Sequence, residues 1–538
     1  MLRSNQKKEI MKILKYSLVL MLVFSFMACE KSFEELEVDT NRPVAVPASL
    51  VLQSIQFDMY NNTGRAFGAE MRWNQFYCSN YNYYANNEYT WSEVTNHFFT
   101  MKNVIKMEEE ARKAGLDAIN PYSATGKFFK AFFYDQMSKR VGDLPLTEGL
   151  QGITVLSPKY DTQKQVYIQI LKWLEESNAE LSTLITKGNQ TLTGDIYFGG
   201  DLRKWQKAVN AFQLRILVQL SKKEADADLA VKTKFAAIIS NPAKYPLMAN
   251  VGESLQFVSN QFNKYPSNPD NFGFDATRQN MSRAYVERLT ERKDPRVMVT
   301  CEPAGSQLKA GKLASDFSSY VGASSAEDLA DMSSKAGINN GSDFAAGQYS
   351  FQNRKRYYNN YVGESTFIVG YPEMCFNMAE GIHRNWASGS ASQWYEIGIK
   401  ASMDFYGIKN GSNTMTYSRN GSKDATDLRT FNIDFNLTDY LAQANVKYEA
   451  GNTGLEKILT QKYLAFFMNS GMEAYFNWRR TNYPTFYTGV GNGNSNRIAI
   501  RWIYPLTERT SNSANYKAAI DAQFAGKDDI NDQIWLLK

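Results

Sequence analysis

Thr162–Lys187 reads TQKQVYIQILKWLEESNAELSTLITK, and its apolar residues Val166, Ile170, Trp173, Leu174, Leu181, Leu184 and Ile185 recur mostly at three- and four-residue steps. That period places them along one stripe of an α-helix, and the stripe needs a partner to cover it. Leu202–Ser221 repeats the pattern with Trp205, Val209, Phe212, Ile216 and Leu220. Working outward, similar spacing marks Gly126–Met137, Pro372–Ile382, Trp394–Tyr406 and Ile458–Trp478, several of them paired across short turn-rich joints. Two long stretches lack any period: Asn241–Asp275, dense in Asn and Pro, and Gly305–Gly347, rich in Ser, Ala, Gly and Asp. Loops of that length inside a compact protein are usually functional or disordered.

These patterns predict a mostly α, all-α scaffold of packed helix pairs with tetratricopeptide-like geometry, carrying long loops. No charged linker breaks the chain, so residues 50–538 are expected to form one domain. At 538 residues and 43% hydrophobic content a sizeable core is affordable. The aromatic fraction is high at 14%, with 32 Tyr against 9 Trp, and Tyr is the aromatic that lies half-buried with a wet end. Sixty Lys+Arg against 55 Asp+Glu leave a net charge of only +5, and no basic block stands out beyond the first thirty residues, which argues against nucleic acid as a partner. Two histidines, His97 and His383, argue against a His-based metal centre; no metal, cofactor or catalytic residue is assigned. Cys78, Cys301 and Cys375 are an odd, widely spaced set that allows at most one disulfide.

The first thirty residues carry an address. Arg3, Lys7, Lys8, Lys12 and Lys15 form a basic start, an apolar run follows from Tyr16 to Met27, and Ala28 precedes Cys29. This is the layout of a secretory signal, too short to span a bilayer comfortably as a permanent helix. MKILKYSLVLMLVFSFMAC, from Met11, is a complete signal by itself. Its FMAC ending resembles a bacterial lipobox, with Phe26 where Leu is commoner; cleavage before the Cys and lipidation of its thiol follow from that resemblance. The alternative is an ordinary signal peptide. Residues 1–28 are thus expected to be removed, Cys29 to carry lipid that anchors the chain without spanning the membrane, and residues 29–49, acidic and punctuated by Pro43 and Pro47, to act as a tether.

Several ordered blocks together resemble the SusD/RagB family of outer-membrane nutrient-binding lipoproteins, in its SusD-like branch. They are AFFYDQMSKRVGDLPLTEGLQ from Ala131, with its Gly142-Asp143-Leu144-Pro145 turn, then YDTQKQVYIQIL from Tyr160, GDIYFGGDLRKWQKAVNAFQLRILVQLS from Gly194 and ERKDPRV from Glu291. YPEMCFNMAEG from Tyr371, GIKASMDFYGI from Gly398, QKYLAFFMNSGMEAYFNWRRTNYPTF from Gln461 and YPLTERTSNSANYKAAI from Tyr504 continue the series. RIAIRWIYP, Arg497–Pro505, departs from it by lacking the Pro and adjacent paired Arg often found there. The resemblance implies a cell-surface lipoprotein of a Bacteroidetes-type bacterium that caps a SusC-like TonB-dependent transporter in the outer membrane, captures oligosaccharides or peptides, and does no chemistry. It also implies a tetratricopeptide-like scaffold with a loop-built site, and an export signal in Glu30, Glu34 and Glu35.

The candidate site is WNQFYCSNYNYYANNEYTW, Trp73–Trp91, in which eight of nineteen residues are aromatic and five are Asn. A sugar presents an apolar C–H face and a fringe of hydroxyls, which rings and side-chain amides match. The family resemblance places a glycan-binding Trp and Asn at about Trp73 and Asn74; Tyr81, Asn82, Tyr83 and Tyr84 complete the candidates. Tyr81 and Tyr83 share a face of an extended segment and Tyr84 points away. Phe76, Tyr77, Tyr89 and Trp91 suit the core. A second candidate wall is NKYPSNPDNFGFDATRQNMSR, with Tyr265, Asn271, Phe272 and Arg278; the alternative is a loop fastened by its own Asn side chains. His383 is expected to cap a helix end, and Arg479 and Arg480 to bind carbonyls or carboxylates. The glycines of TGVGNGNSN follow no strand and open no helix, which argues against a dinucleotide site. A peptide-capturing family member and a surface glycosidase, which needs two carboxyl groups across a sugar, are the alternative functions.

Overall fold

Thr162 and Gln165 start the helix that follows them by capping each other: the Gln165 N–H donates to the Thr162 hydroxyl at 3.3 Å and the Thr162 N–H to the Gln165 side chain at 2.9 Å. Val166, Ile170, Leu174, Leu181 and Leu184 then line its buried face, and Gly188, at φ 70°, ends it. The computed structural model describes residues 7–8, 10–17, 46–62, 64–83, 85–188, 190–336, 347–419 and 426–538, apart from the side chains of residues 274 and 275. Residues 10–17 of the expected signal are helical; Cys29 and most of the expected tether lie outside the described residues. Among the described residues no helix is long and apolar enough to cross a membrane.

Residues Ala48–Lys538 form one compact unit and residues Met1–Pro47 another. The helices of the larger unit that build the paired scaffold are α1 (Ala48–Asn62), α2 (Phe98–Lys113), α3 (Pro121–Val141), α4 (Gln163–Lys187), α5 (Leu202–Gln219), α6 (Tyr371–His383), α7 (Ala391–Phe405), α8 (Gly451–Ala465) and α9 (Glu473–Thr481). Successive members pack from α1 through α5; α5 then packs on α6 across the long insertion, and α6 on both α7 and α8. The chain is mostly α, a scaffold of helix pairs, as the apolar period predicts. The stretch Ile458–Trp478 is two helices rather than one, because Met468, Ser470 and Gly471 turn through positive φ (57°, 56° and 57°) between α8 and α9.

Among the described residues the insertions carry three two-stranded antiparallel ribbons that helical periodicity does not register: β1 (Tyr77–Ser79) with β3 (Gln279–Met281), β2 (Leu255–Phe257) with β4 (Thr366–Val369), and β5 (Gly411–Ser418) with β6 (Leu428–Phe435). Buried charges tie the helices together. Arg215 on α5 meets Glu373 on α6 at 2.5 Å, Lys139 on α3 meets Asp135 at 2.8 Å and Glu473 on α9 at 2.5 Å, and Arg480 on α9 meets Glu380 on α6 at 2.6 Å. Arg479 donates to the carbonyls of Lys139 and Ile500, both at 2.7 Å. The expected roles of Arg479 and Arg480 are therefore met inside the scaffold. Cys78, Cys301 and Cys375 are buried and free.

Candidate functional site

The pairing of β1 with β3 decides what the aromatic stretch meets. Ser79 lies opposite Gln279, and the Asn80 N–H donates to the Arg278 carbonyl at 3.1 Å. That register carries Tyr81 to Arg278, whose guanidinium carbon lies 4.8 Å from the Tyr81 ring centroid, within cation–π range. The Tyr83 ring stands 6.4 Å from that of Tyr81, tilted by 34°, and is 81% exposed. With exposed Asn82 these side chains make one outward surface from two distant segments. Tyr84 lies outside the described residues.

Trp73 ends the short helix Ala69–Trp73 and is half-buried, its Nε1–H donating to the Glu88 carbonyl at 3.0 Å. Its ring meets Trp91 edge-on at 5.2 Å and Trp502 at 6.1 Å, while Trp91 and Trp502 stack at 3.7 Å and 12°. The Arg140 guanidinium lies 5.5 Å from the Trp502 ring. The three indoles wall a cavity of about 280 Å³ whose polar rim includes Glu70, Asn86, Glu88, Thr90, Glu93 and Arg140. The buried Nε1–H of Trp91 has no hydrogen-bond partner among the described residues. His97 also lines the cavity; burial first, then the charge of Arg140, pushes its imidazole down to about 3, so it is neutral. Three carboxylates against one cation make this wall suited to neutral or cationic ligands, with acceptors for hydroxyl donors beside apolar faces.

Asn74 does not join the cavity. It is fully buried, its Oδ1 accepting the Tyr475 N–H at 2.9 Å and its Nδ2 donating to the Gly471 carbonyl at 2.7 Å. Both ends of the amide are spent on fastening the turn into α9, which corrects its expected role. Tyr265 is fully buried, its ring 6.4 Å from that of Tyr357 and nearly parallel to it. Asn271 accepts the Asn268 N–H at 2.9 Å and donates to the Pro266 carbonyl at 2.7 Å, so this loop is fastened by its own Asn. Phe272 is half-buried, edge-on to Tyr358 at 5.7 Å. Arg278 is the member of that wall brought onto the aromatic surface.

Nothing in the sequence marks Trp502 for the cavity, and Trp91, whose residue type suits the core, walls it as well. Trp502 arrives through backbone bonds from far along the chain: its N–H donates to the Arg140 carbonyl at 3.0 Å, and the Val94 N–H to the Ile503 carbonyl at 2.9 Å. No local period signals that approach. Among the described residues no group of three or more His, Cys, Asp or Glu is placed to hold a metal ion.

A model of the SusD-like family, described as starch-binding and associating with the outer membrane, matches residues 40–505. A solved SusD homologue from Bacteroides fragilis is 30% identical, with a TM-score of 0.77 over 92% of this chain and 100% of that one. A Bacteroides vulgatus outer membrane protein whose description ties it to nutrient binding is 27% identical, with a TM-score of 0.75 over 92% and 100%. A chitin-binding SusD homologue from Flavobacterium johnsoniae shares the fold at 19% identity, with a TM-score of 0.65 over 91% and 97%. A comparison with curated proteins gives no match. With the family model spanning most of its length and a helix-pair scaffold that superposes on full-length relatives, this chain belongs to the SusD-like family.

Proposed function

We propose that the protein is a non-catalytic saccharide receptor of the outer membrane, lipidated at Cys29 and exposed at the cell surface on the tether of residues 29–49. It captures oligosaccharides and passes them to a SusC-like TonB-dependent transporter. The observation that carries this reading is the cavity walled by Trp73, Trp91 and Trp502, continued along the same segment by the exposed Tyr81, Asn82 and Tyr83. Flat rings there present faces to sugar C–H groups, and the carboxylates and amides around them accept and donate to hydroxyls. Family membership and the family's association with the outer membrane support the location and the partner.

The test is calorimetric binding of neutral oligosaccharides and of mixed peptides to the full-length protein, beside a Trp73→Ala variant. Loss of a ring that closes on a ligand costs ~2 kcal/mol, about thirtyfold in affinity. Saccharide binding weakened to that degree supports the reading; peptide binding in its place assigns the surface to the peptide-capturing alternative. Metabolic labelling with a fatty acid, lost in Cys29→Ala, tests the anchor.

A further inference from the structure

A second groove, of about 640 Å³, opens beside the β5–β6 hairpin, between the short helix Arg354–Tyr358, the turn Tyr406–Lys409 and the first half of β5. Its volume lies within the range of small-molecule sites. Among the described residues three cations line it, Lys355, Arg356 and Lys409, and no carboxylate does, the reverse of the tryptophan cavity. Arg356 is committed to buried Glu364 at 2.8 Å. Lys355 and Lys409 have no ion-pair partner among the described residues, and Lys409 is exposed. The nearest acidic residue along the ribbon is Asp434, which pairs with Ser412 across the hairpin and shares its face.

The walls are built rather than loose. The Asn353 side chain donates to the Thr416 carbonyl at 2.9 Å, and Asn413 clamps Lys409 by accepting its N–H at 3.0 Å and donating to its carbonyl at 2.7 Å. Tyr406, 5% exposed, belongs to the lining and keeps a hydroxyl without a partner among the described residues. Among the described lining residues no exposed ring offers a stacking face, so recognition here works through charge and through amides such as Asn359.

We infer that this groove is a second binding site, for a saccharide bearing a carboxylate or sulfate whose oxygens sit between the ammonium groups of Lys355 and Lys409. The anionic part rests on the groove alone; the saccharide part rests on the receptor reading above. Two charge-assisted contacts, one from half-buried Lys355 and one from exposed Lys409, predict a loss of about tenfold in affinity when both lysines are removed, and a steep fall with added salt.

The test is calorimetry on the full-length protein in detergent with trigalacturonate, a sulfated chondroitin disaccharide and neutral cellotetraose as probes. Either anionic probe is expected to bind, to weaken about tenfold in Lys355→Ala/Lys409→Ala, and to tighten in Asp434→Asn, while cellotetraose is unaffected by these changes. Anionic binding that survives the double substitution, that disappears in Trp73→Ala, or that is absent for both anionic probes overturns the inference. Because Trp73→Ala reads the tryptophan cavity and the lysine variant reads the groove, failure of one site is distinguishable from failure of the other.

Discussion

Replacing Glu380 by Gln removes one negative charge from the middle of the scaffold and leaves its shape. Glu380 is fully buried on α6; it receives Arg480 from α9 through two contacts, at 2.6 and 2.9 Å, and Arg384 at 2.9 Å. Burial by itself pushes this carboxyl up, but the charges of Arg480 and Arg384 outweigh it and hold the group down at about 2, against an ordinary 4.5. At ~1.4 kcal/mol per tenfold in proton affinity, that difference is worth ~3 kcal/mol of stability at neutral pH. Breaking a buried pair from one side costs ~3–5 kcal/mol by the same physics, because the guanidinium left behind stays dry and unpaired. Denaturant unfolding of Glu380→Gln, followed by tryptophan fluorescence, is expected to show a loss of that size. The sign of the pH dependence follows from the depressed value: the advantage is full above 4.5 and disappears as pH falls toward 2, so the two proteins converge in acid. The double variant Glu380→Gln/Arg480→Met, which removes the stranded charge, recovers part of the loss. A single-variant loss below ~1 kcal/mol, or a difference that does not shrink in acid, refutes the reasoning.

His97 supplies a second acid-sensitive group. Its folded value of about 3 lies below the ordinary 6.5, so the neutral native form loses ~1.4 kcal/mol of stability per pH unit as pH drops below 6.5; His97→Gln flattens unfolding curves across that window. Gly142 ends α3 at φ 107°, and a Cβ there meets the side chain of Gln523; Gly142→Ala is expected to cost ~1–3 kcal/mol in the same assay. Tyr83 is 81% exposed, so Tyr83→Ala leaves thermal stability unchanged while weakening oligosaccharide binding by about threefold to tenfold.

The helices were legible because burying one side of a helix forces a three-to-four-residue period on the side chains that do it, as Val166 through Ile185 show. The ribbons were not, since β1 and β3 are three residues each and too short to display a period of two. The site was legible in composition and only partly in role. Trp73, Tyr81, Asn82, Tyr83 and Arg278 stand where a ligand has access to them, whereas Asn74, next in sequence to Trp73, is turned inward to fasten Gly471 and Tyr475. Adjacent positions at the end of a short helix point in different directions, so proximity in the chain carries no shared exposure. Trp502 shows the opposite failure: its indole stacks on Trp91 through a contact that only the closed fold creates.

The distribution of charge separates what holds the protein together from what its two concave surfaces present. Arg215, Lys139, Arg480, Glu373, Glu380 and Glu473 are all buried and paired between helices, where losing one partner is costly. Glu88, Lys355 and Lys409, by contrast, project from insertions and short turns with at least partial access to solvent, where substitution costs the fold little. Opposite charge at the two concave surfaces then follows without any change to the helix pairs: the segment between α1 and α2 brings carboxylates around three indoles, while the segments before α6 and after α7 bring Lys355 and Lys409 to the foot of a ribbon. On this scaffold the charge of a concave surface changes with its inter-helix segments alone, and the paired charges beneath keep both surfaces in place.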